Sequence, residues 1–140
     1  MQRIGACVLG GAWIAALLSC TPNVSERDIR GVELPAVLAG VDDPSVLFVD
    51  ARAPSRYRVS RLPGAISVSI VEIDLEASRL TRLEAAERLI VYGQNPGDPR
   101  ASGLTLRLLE AGYSGVELFR GGIEAWTNAG RTLESGEPSD

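Results

Sequence analysis

The sequence predicts an α/β domain built on a parallel sheet with helices on both faces, and three observations carry that prediction. Short apolar runs recur at Val46-Leu47-Phe48-Val49 and Leu89-Ile90-Val91-Tyr92, as expected for strands covered on both faces. Segments with helical spacing lie between such runs, as crossover connections between parallel strands require. These two runs stop at Asp50 and Gly93, so polar loops gather beyond the strand ends, where parallel sheets place their ligand crevices.

Taken in order, the first segment is of another kind. Arg3 precedes an apolar stretch from Ile4 to Leu18, short for a bilayer span, which reads as a secretory signal over residues 1–19. It closes on Leu17-Leu18-Ser19-Cys20, which resembles the lipobox of bacterial lipoproteins, where cleavage leaves the cysteine as an acylated N-terminus. Residues 20–27, with "TPNVSER", read as a tether, residues 28–132 as the domain and 133–140 as a mobile tail.

Within the domain, a short edge strand is expected near Ile29–Val32 and a helix over Leu34–Ala39. The strand beginning at Val46 ends at Asp50, and one helical turn is expected around Ser55–Arg58. Pro63-Gly64 makes a turn before a strand over Ala65–Ile70, and a polar, acidic stretch follows. Its carboxylates Glu72, Asp74 and Glu76 read as a solvated face. After the strand Leu89–Tyr92, a helix over Ala101–Ala111 places Ala101, Leu104 and Leu108 on one face, with Gly112 as its C-terminal cap. A strand over Val116–Phe119, a tight Arg120-Gly121-Gly122 loop and a helix over Ile123–Ala129 complete the domain.

Composition narrows the function. The net charge of −4 leaves no basic stripe to neutralise phosphates, so nucleic acid is excluded as a partner. All 14 basic residues are Arg, which reads mainly as compositional bias. Cys7 falls in the signal and Cys20 is consumed by the lipid, while histidine is absent; the mature domain is then expected to have no disulfide, no ordinary zinc site and no cofactor.

Together these segments resemble the rhodanese-like domain family. The resemblance rests on Val49-Asp50-Ala51-Arg52 with Pro54 and Tyr57, then Leu62-Pro63-Gly64-Ala65, Leu89 to Tyr92, Gly112-Tyr113, and Arg120-Gly121-Gly122-Ile123 with Trp126 and Gly130, in the family's order. It implies a parallel, roughly five-stranded sheet with helices on both faces. It also implies that the position after Tyr92 belongs to a cysteine that carries a persulfide sulfur from a donor such as thiosulfate to an acceptor. Here that position is Gly93.

Two further departures accompany it. The loop Gly93, Gln94, Asn95, Pro96, Gly97, Asp98, Pro99, Arg100 is longer than the family's compact cradle, and its two prolines lack N–H donors. Ser60-Arg61 stands where the family usually has Gly-His, and Arg61 reads as a solvated surface residue. Asp98-Pro99 reads as an N-cap and first helical residue, so the cap carboxylate itself is expected to take the N–H groups an anion would want. Arg100 is the best surviving ligand contact, through a guanidinium that can fork onto an oxyanion. Asp50 and Arg52 read as loop-supporting. Gly93→Cys is expected to restore a thiol of lowered pKa.

The reading that follows is an extracytoplasmic module, anchored through lipidated Cys20, that has lost sulfurtransferase chemistry and binds a protein partner or a small anion. Its rival is an enzyme that borrows a thiol from its partner or substrate. Thr21, rather than an aspartate after Cys20, favours outer-membrane sorting where two membranes exist. Cys20→Ser is expected to release the chain from membranes, because acyl chains contribute about 0.8 kcal/mol per buried methylene. An intact mass showing unmodified Cys20 in the mature protein would overturn the anchor.

Overall fold

The computed structural model describes residues 23–71 and 77–137. The signal, the lipidation position Cys20 and the carboxylates Glu72, Asp74 and Glu76 lie outside them. After a single turn of 3-10 helix at Glu26–Asp28, the chain alternates strands and helices. These are β1 (Arg30–Val32), α1 (Leu34–Ala39), β2 (Val46–Asp50), α2 (Pro54–Val59), β3 (Ile66–Ser67), α3 (Ala77–Ala85), β4 (Arg88–Tyr92), α4 (Pro99–Glu110), β5 (Val116–Phe119) and α5 (Gly122–Asn128). The strands form one five-stranded sheet in the order β1-β5-β4-β2-β3, with every pair parallel.

Period-2 alternation divides the core. Leu47, Val49, Leu89, Val91 and Leu118 face Leu83 after the start of α3 and Leu104 and Leu108 of α4. Phe48, Ile90, Tyr92 and Phe119 face Val37 of α1, Tyr57 of α2, and Ile123 and Trp126 of α5. Each such buried side chain contributes about 1.5–3 kcal/mol of transfer free energy, which is why the three central strands carry the apolar runs. Among the described residues no helix is long and apolar enough to cross a membrane.

Four expectations change. The strand expected over Ala65–Ile70 is only Ile66–Ser67, because β2, its one neighbour, ends at Asp50; the register Val49↔Ile66 and Asp50↔Ser67 exhausts the ladder. The helix α3 lies partly where the sequence offers only a polar stretch. Leu80 and Leu83 stand one turn apart among charged residues, and of the described side chains Leu83 is buried.

Arg61, expected in solvent, is 4% exposed. Its guanidinium lies over the Tyr57 ring at 4.7 Å, donates to the Gly136 carbonyl at 2.7 Å and pairs with Glu134 at 3.5 Å. The tail expected to be mobile is thereby a strap over residues 133–136. Arg61 and Glu134 exchange backbone hydrogen bonds, each 2.9 Å, and Leu133 packs on the α5 side of the core. Upstream of it the Trp126 indole N–H donates to the Thr132 carbonyl at 3.0 Å. The long arginine stem suits an apolar ring while its head finds acceptors remote in sequence, a pairing no local pattern encodes.

Arg61→Ala is expected to lower the unfolding free energy by about 1–3 kcal/mol, since the strap loses a charged donor. Amide exchange at Glu134 and Gly136 should rise with it. Unchanged exchange at both amides would show that the arginine does not hold the strap.

Candidate functional site

The carboxyl ends of β2 and β4 converge on one buried carboxylate. Asp50 is fully buried, and its Oδ1 accepts from the Arg52 backbone N–H at 2.9 Å and from Arg52 Nε at 3.0 Å. Its Oδ2 accepts from Arg52 Nη2 and from the Tyr92 hydroxyl, both at 2.7 Å. The same hydroxyl accepts the Leu62 N–H at 3.1 Å, and Arg52 Nη2 also reaches the Ser60 carbonyl at 2.5 Å. A buried ion pair persists only when its remaining donors and acceptors are met, and this one meets them from three stretches of chain, residues 50–52, 60–62 and 92.

The charges follow from that packing. Burial raises the Tyr92 phenol well above its ordinary value, and the adjacent Asp50 carboxylate raises it further, so at neutral pH it is a neutral donor. Burial works to lower the Arg52 guanidinium, but the hydrogen bonds and charge of Asp50 outweigh it and hold the group above its ordinary value. Asp50 and Arg52 are thus bonded to each other, to the Tyr92 hydroxyl and to the Ser60 carbonyl, and have little capacity left for a ligand.

The loop after β4 is built around a second carboxylate. Asn95-Pro96-Gly97-Asp98 forms a turn closed by the Asp98 N–H on the Asn95 carbonyl at 3.2 Å, with Gly97 at φ 87°, as a type II turn requires. The turn delivers Asp98 to the N-cap of α4, where its Oδ1 accepts the Arg100 N–H at 3.0 Å. Its Oδ2 reaches back to the Gln94 N–H at 2.8 Å. Both oxygens of a nearly buried side chain thus take loop N–H groups from within.

Gly93 lies directly against this carboxylate. A Cβ at Gly93 would stand 2.6 Å from Asp98 Oδ2 and 2.8 Å from its Cγ, so the absent side chain and the cap carboxylate claim the same space. Gly93 has no positive φ; the close approach, not the backbone conformation, demands glycine. The loop is also clamped from α5. The Gly93 and Gln94 carbonyls accept N–H groups of Ile123 and Glu124 at the start of α5, both at 3.0 Å, which Gly122 permits by taking φ 62° with no side chain against Gln94.

The structure brings Asp50, Arg52, Gly93, Gln94, Asp98 and Arg100 to one end of the sheet, while Asn95, Pro96, Gly97 and Pro99 form the exposed rim of the loop. The Arg100 side chain projects to solvent, 64% exposed, and its guanidinium lies 3.9 Å from Asp98 Oδ1. Two recesses flank the loop, one of about 180 Å³ lined by Arg52, Arg56, Gln94 and Arg100, the other of about 300 Å³ reaching Leu133. Sequence reasoning missed Arg56 and Leu133. The Arg52–Arg56 spacing was a signal, diluted in a chain whose 14 basic residues are all Arg. Among the described residues no three His, Cys, Asp or Glu side chains converge as a metal ion would need.

This geometry revises the expectation for Gly93→Cys. Alone, the substitution should destabilise by about 1–3 kcal/mol through overpacking against Asp98, and its thiol should alkylate slowly. Adding Asp98→Gly, a tolerated N-cap, should recover part of that loss and speed alkylation by freeing two N–H donors for the thiolate. Urea unfolding and pH-dependent alkylation of both variants, with wild type as the blank, test it. A single variant as stable as wild type with a fast thiol would refute the steric assignment.

Comparison with known proteins agrees with the architecture. The family model for the rhodanese-like domain matches residues 34–129. A thiosulfate:glutathione sulfurtransferase of Saccharomyces cerevisiae is 26% identical over 125 residues, covering 80% of this chain and 86% of the relative. The BH2092 protein of Bacillus halodurans superposes with a TM-score of 0.67 at 21% identity, over 76% of this chain and 77% of its own, a likeness of fold alone. The Alr3790 protein of Anabaena sp. gives 0.65 at 25% identity over 75% and 80%. With the ordered motifs, the all-parallel sheet and the match over most of its length, the chain belongs to the rhodanese-like domain family.

Proposed function

We propose that this chain is a lipid-anchored, extracytoplasmic rhodanese-like module that binds a partner and does not itself transfer sulfur. The observation that carries the reading is the Asp98 carboxylate, which lies against Gly93 and takes the Gln94 and Arg100 N–H groups. Sulfur transfer of the kind the family performs needs a polarisable nucleophile with donors aimed at its developing charge. Here no side chain stands at Gly93, and the donors serve an internal anion. A second negative charge about 4 Å from Asp98 would meet roughly 4 kcal/mol of repulsion at an effective dielectric of about 20. The anchor at Cys20 rests on the lipobox-like Leu17 to Cys20 and completes the reading as a tethered binding domain.

The test is a thiosulfate sulfurtransferase assay on the purified chain, with cyanide and with glutathione as acceptors. Glutathione is included because the yeast relative is named for it, and because it would supply the borrowed thiol of the rival reading. No turnover above the buffer rate is expected with either. Turnover that collapses in Arg100→Ala would establish an enzyme in place of a binding module.

A further inference from the structure

We propose that the groove beside the β4–α4 loop receives an extended segment of a partner protein in which an acidic side chain neighbours an apolar one, the carboxylate seated between Arg56 and Arg100. This inference rests on the reading of the chain as a binding module and names the chemistry of its partner. The two recesses beside the loop share Arg52, Arg56 and Gln94, so they lie side by side and an extended segment crossing those side chains reaches both. Its first part, about 180 Å³, presents three guanidinium groups. Its second part, about 300 Å³, presents Val59, Ile123 and Leu133.

The charges at the first part are unequal in what they have left to offer. Arg52 is committed to Asp50 and to the Ser60 carbonyl. The Arg56 side chain is exposed and its guanidinium has no hydrogen-bond or ion-pair partner among the described residues. Arg100 stands 3.9 Å from an Asp98 oxygen that its own backbone N–H already occupies. Two guanidinium groups thus border one recess, Arg56 with no carboxylate among the described residues and Arg100 with one only at the limit of ion-pair distance, in a chain whose net charge is −4. A carboxylate between them gains forked, charge-assisted hydrogen bonds from each side.

The other end of the groove decides the rest of the occupant. Val59 is 72% exposed although apolar, and it borders the recess with half-buried Leu133. An apolar side chain laid there covers both. Glu124 lines the same part and repels an acid, which fixes the carboxylate at the arginine end and sets the direction of the segment. A free oxyanion would satisfy the arginines but leave the apolar part empty; a peptide with both groups satisfies the whole groove.

The experiment titrates the isotope-labelled full-length chain with a terminally blocked peptide, Gly-Glu-Glu-Leu-Leu-Gly, followed by amide chemical shifts. Two control peptides replace Glu by Gln or Leu by Gly, and sodium sulfate is a further arm. Saturable shifts are expected at Ser55, Arg56, Gln94, Arg100 and Thr127, weakening with added salt. Affinity should fall roughly tenfold for the Gln peptide and for Arg56→Glu or Arg100→Gln in the protein, both at exposed positions. It should fall severalfold for the Gly peptide. Absence of saturable shifts, or equal affinity for the Gln peptide, would overturn the proposal. Sulfate and the Gly peptide binding as well as the parent peptide would reassign the groove to a free oxyanion and overturn it too. Sulfurtransferase activity is measured separately: turnover with intact peptide binding defeats the module reading and keeps the groove, whereas no turnover with no binding defeats the groove alone.

Discussion

The Asp50 carboxylate holds the functional end of the sheet together. It lies between β2 and β4 and joins the Arg52 guanidinium, the Tyr92 phenol and, through that phenol, the Leu62 backbone. The backbone reinforces the same junction: Val68 donates to the Asp50 carbonyl and Ala51 to the Tyr92 carbonyl, both at 3.0 Å. Removing one partner of such a network strands a buried charge, at a cost of about 3–5 kcal/mol. The path of α2, the start of β3 and the height of the loop after Tyr92 all depend on this site.

Above that base, the loop from Gly93 to Arg100 has its own internal anion. In a cradle of backbone N–H groups the donors ordinarily await a ligand; here the Asp98 cap reaches them first, and Gly93 leaves it room. The clamp from Ile123 and Glu124 then ties the loop to α5. A loop closed from both sides in this way is a rigid wall, and the chemistry still on offer is displaced to its rim, where Arg56 and Arg100 are exposed. That displacement connects the packing to the binding role we propose.

Periodicity made the central strands and the fold legible. Val46–Val49 and Leu89–Tyr92 are apolar because both faces are covered, a property written into consecutive residues. The helix Leu34–Ala39 coincides with its expected bounds, and Asp98-Pro99 marks the start of α4 because a cap and its first helical residue are adjacent in the chain. Helix α3 was passed over because its two leucines, Leu80 and Leu83, stand among charged residues, and β3 was overextended because the length of a strand depends on the neighbour it pairs with.

The sequence by itself determined the alternation of strands and helices, the glycine after Tyr92 and the carboxylate at the helix cap, since each is carried by short-range pattern or by one residue's chemistry. Tertiary structure decided what these residues meet. Only folding places the Asp98 carboxylate in the space a side chain at Gly93 would need, lays Arg61 over Tyr57 beneath the strap, and sets Arg56 between a recess bordered by Arg100 and one bordered by Leu133. These are contacts between segments distant along the chain or turned toward each other by a loop. Their distances follow from the sheet register and the packing of helices, which no local spacing encodes.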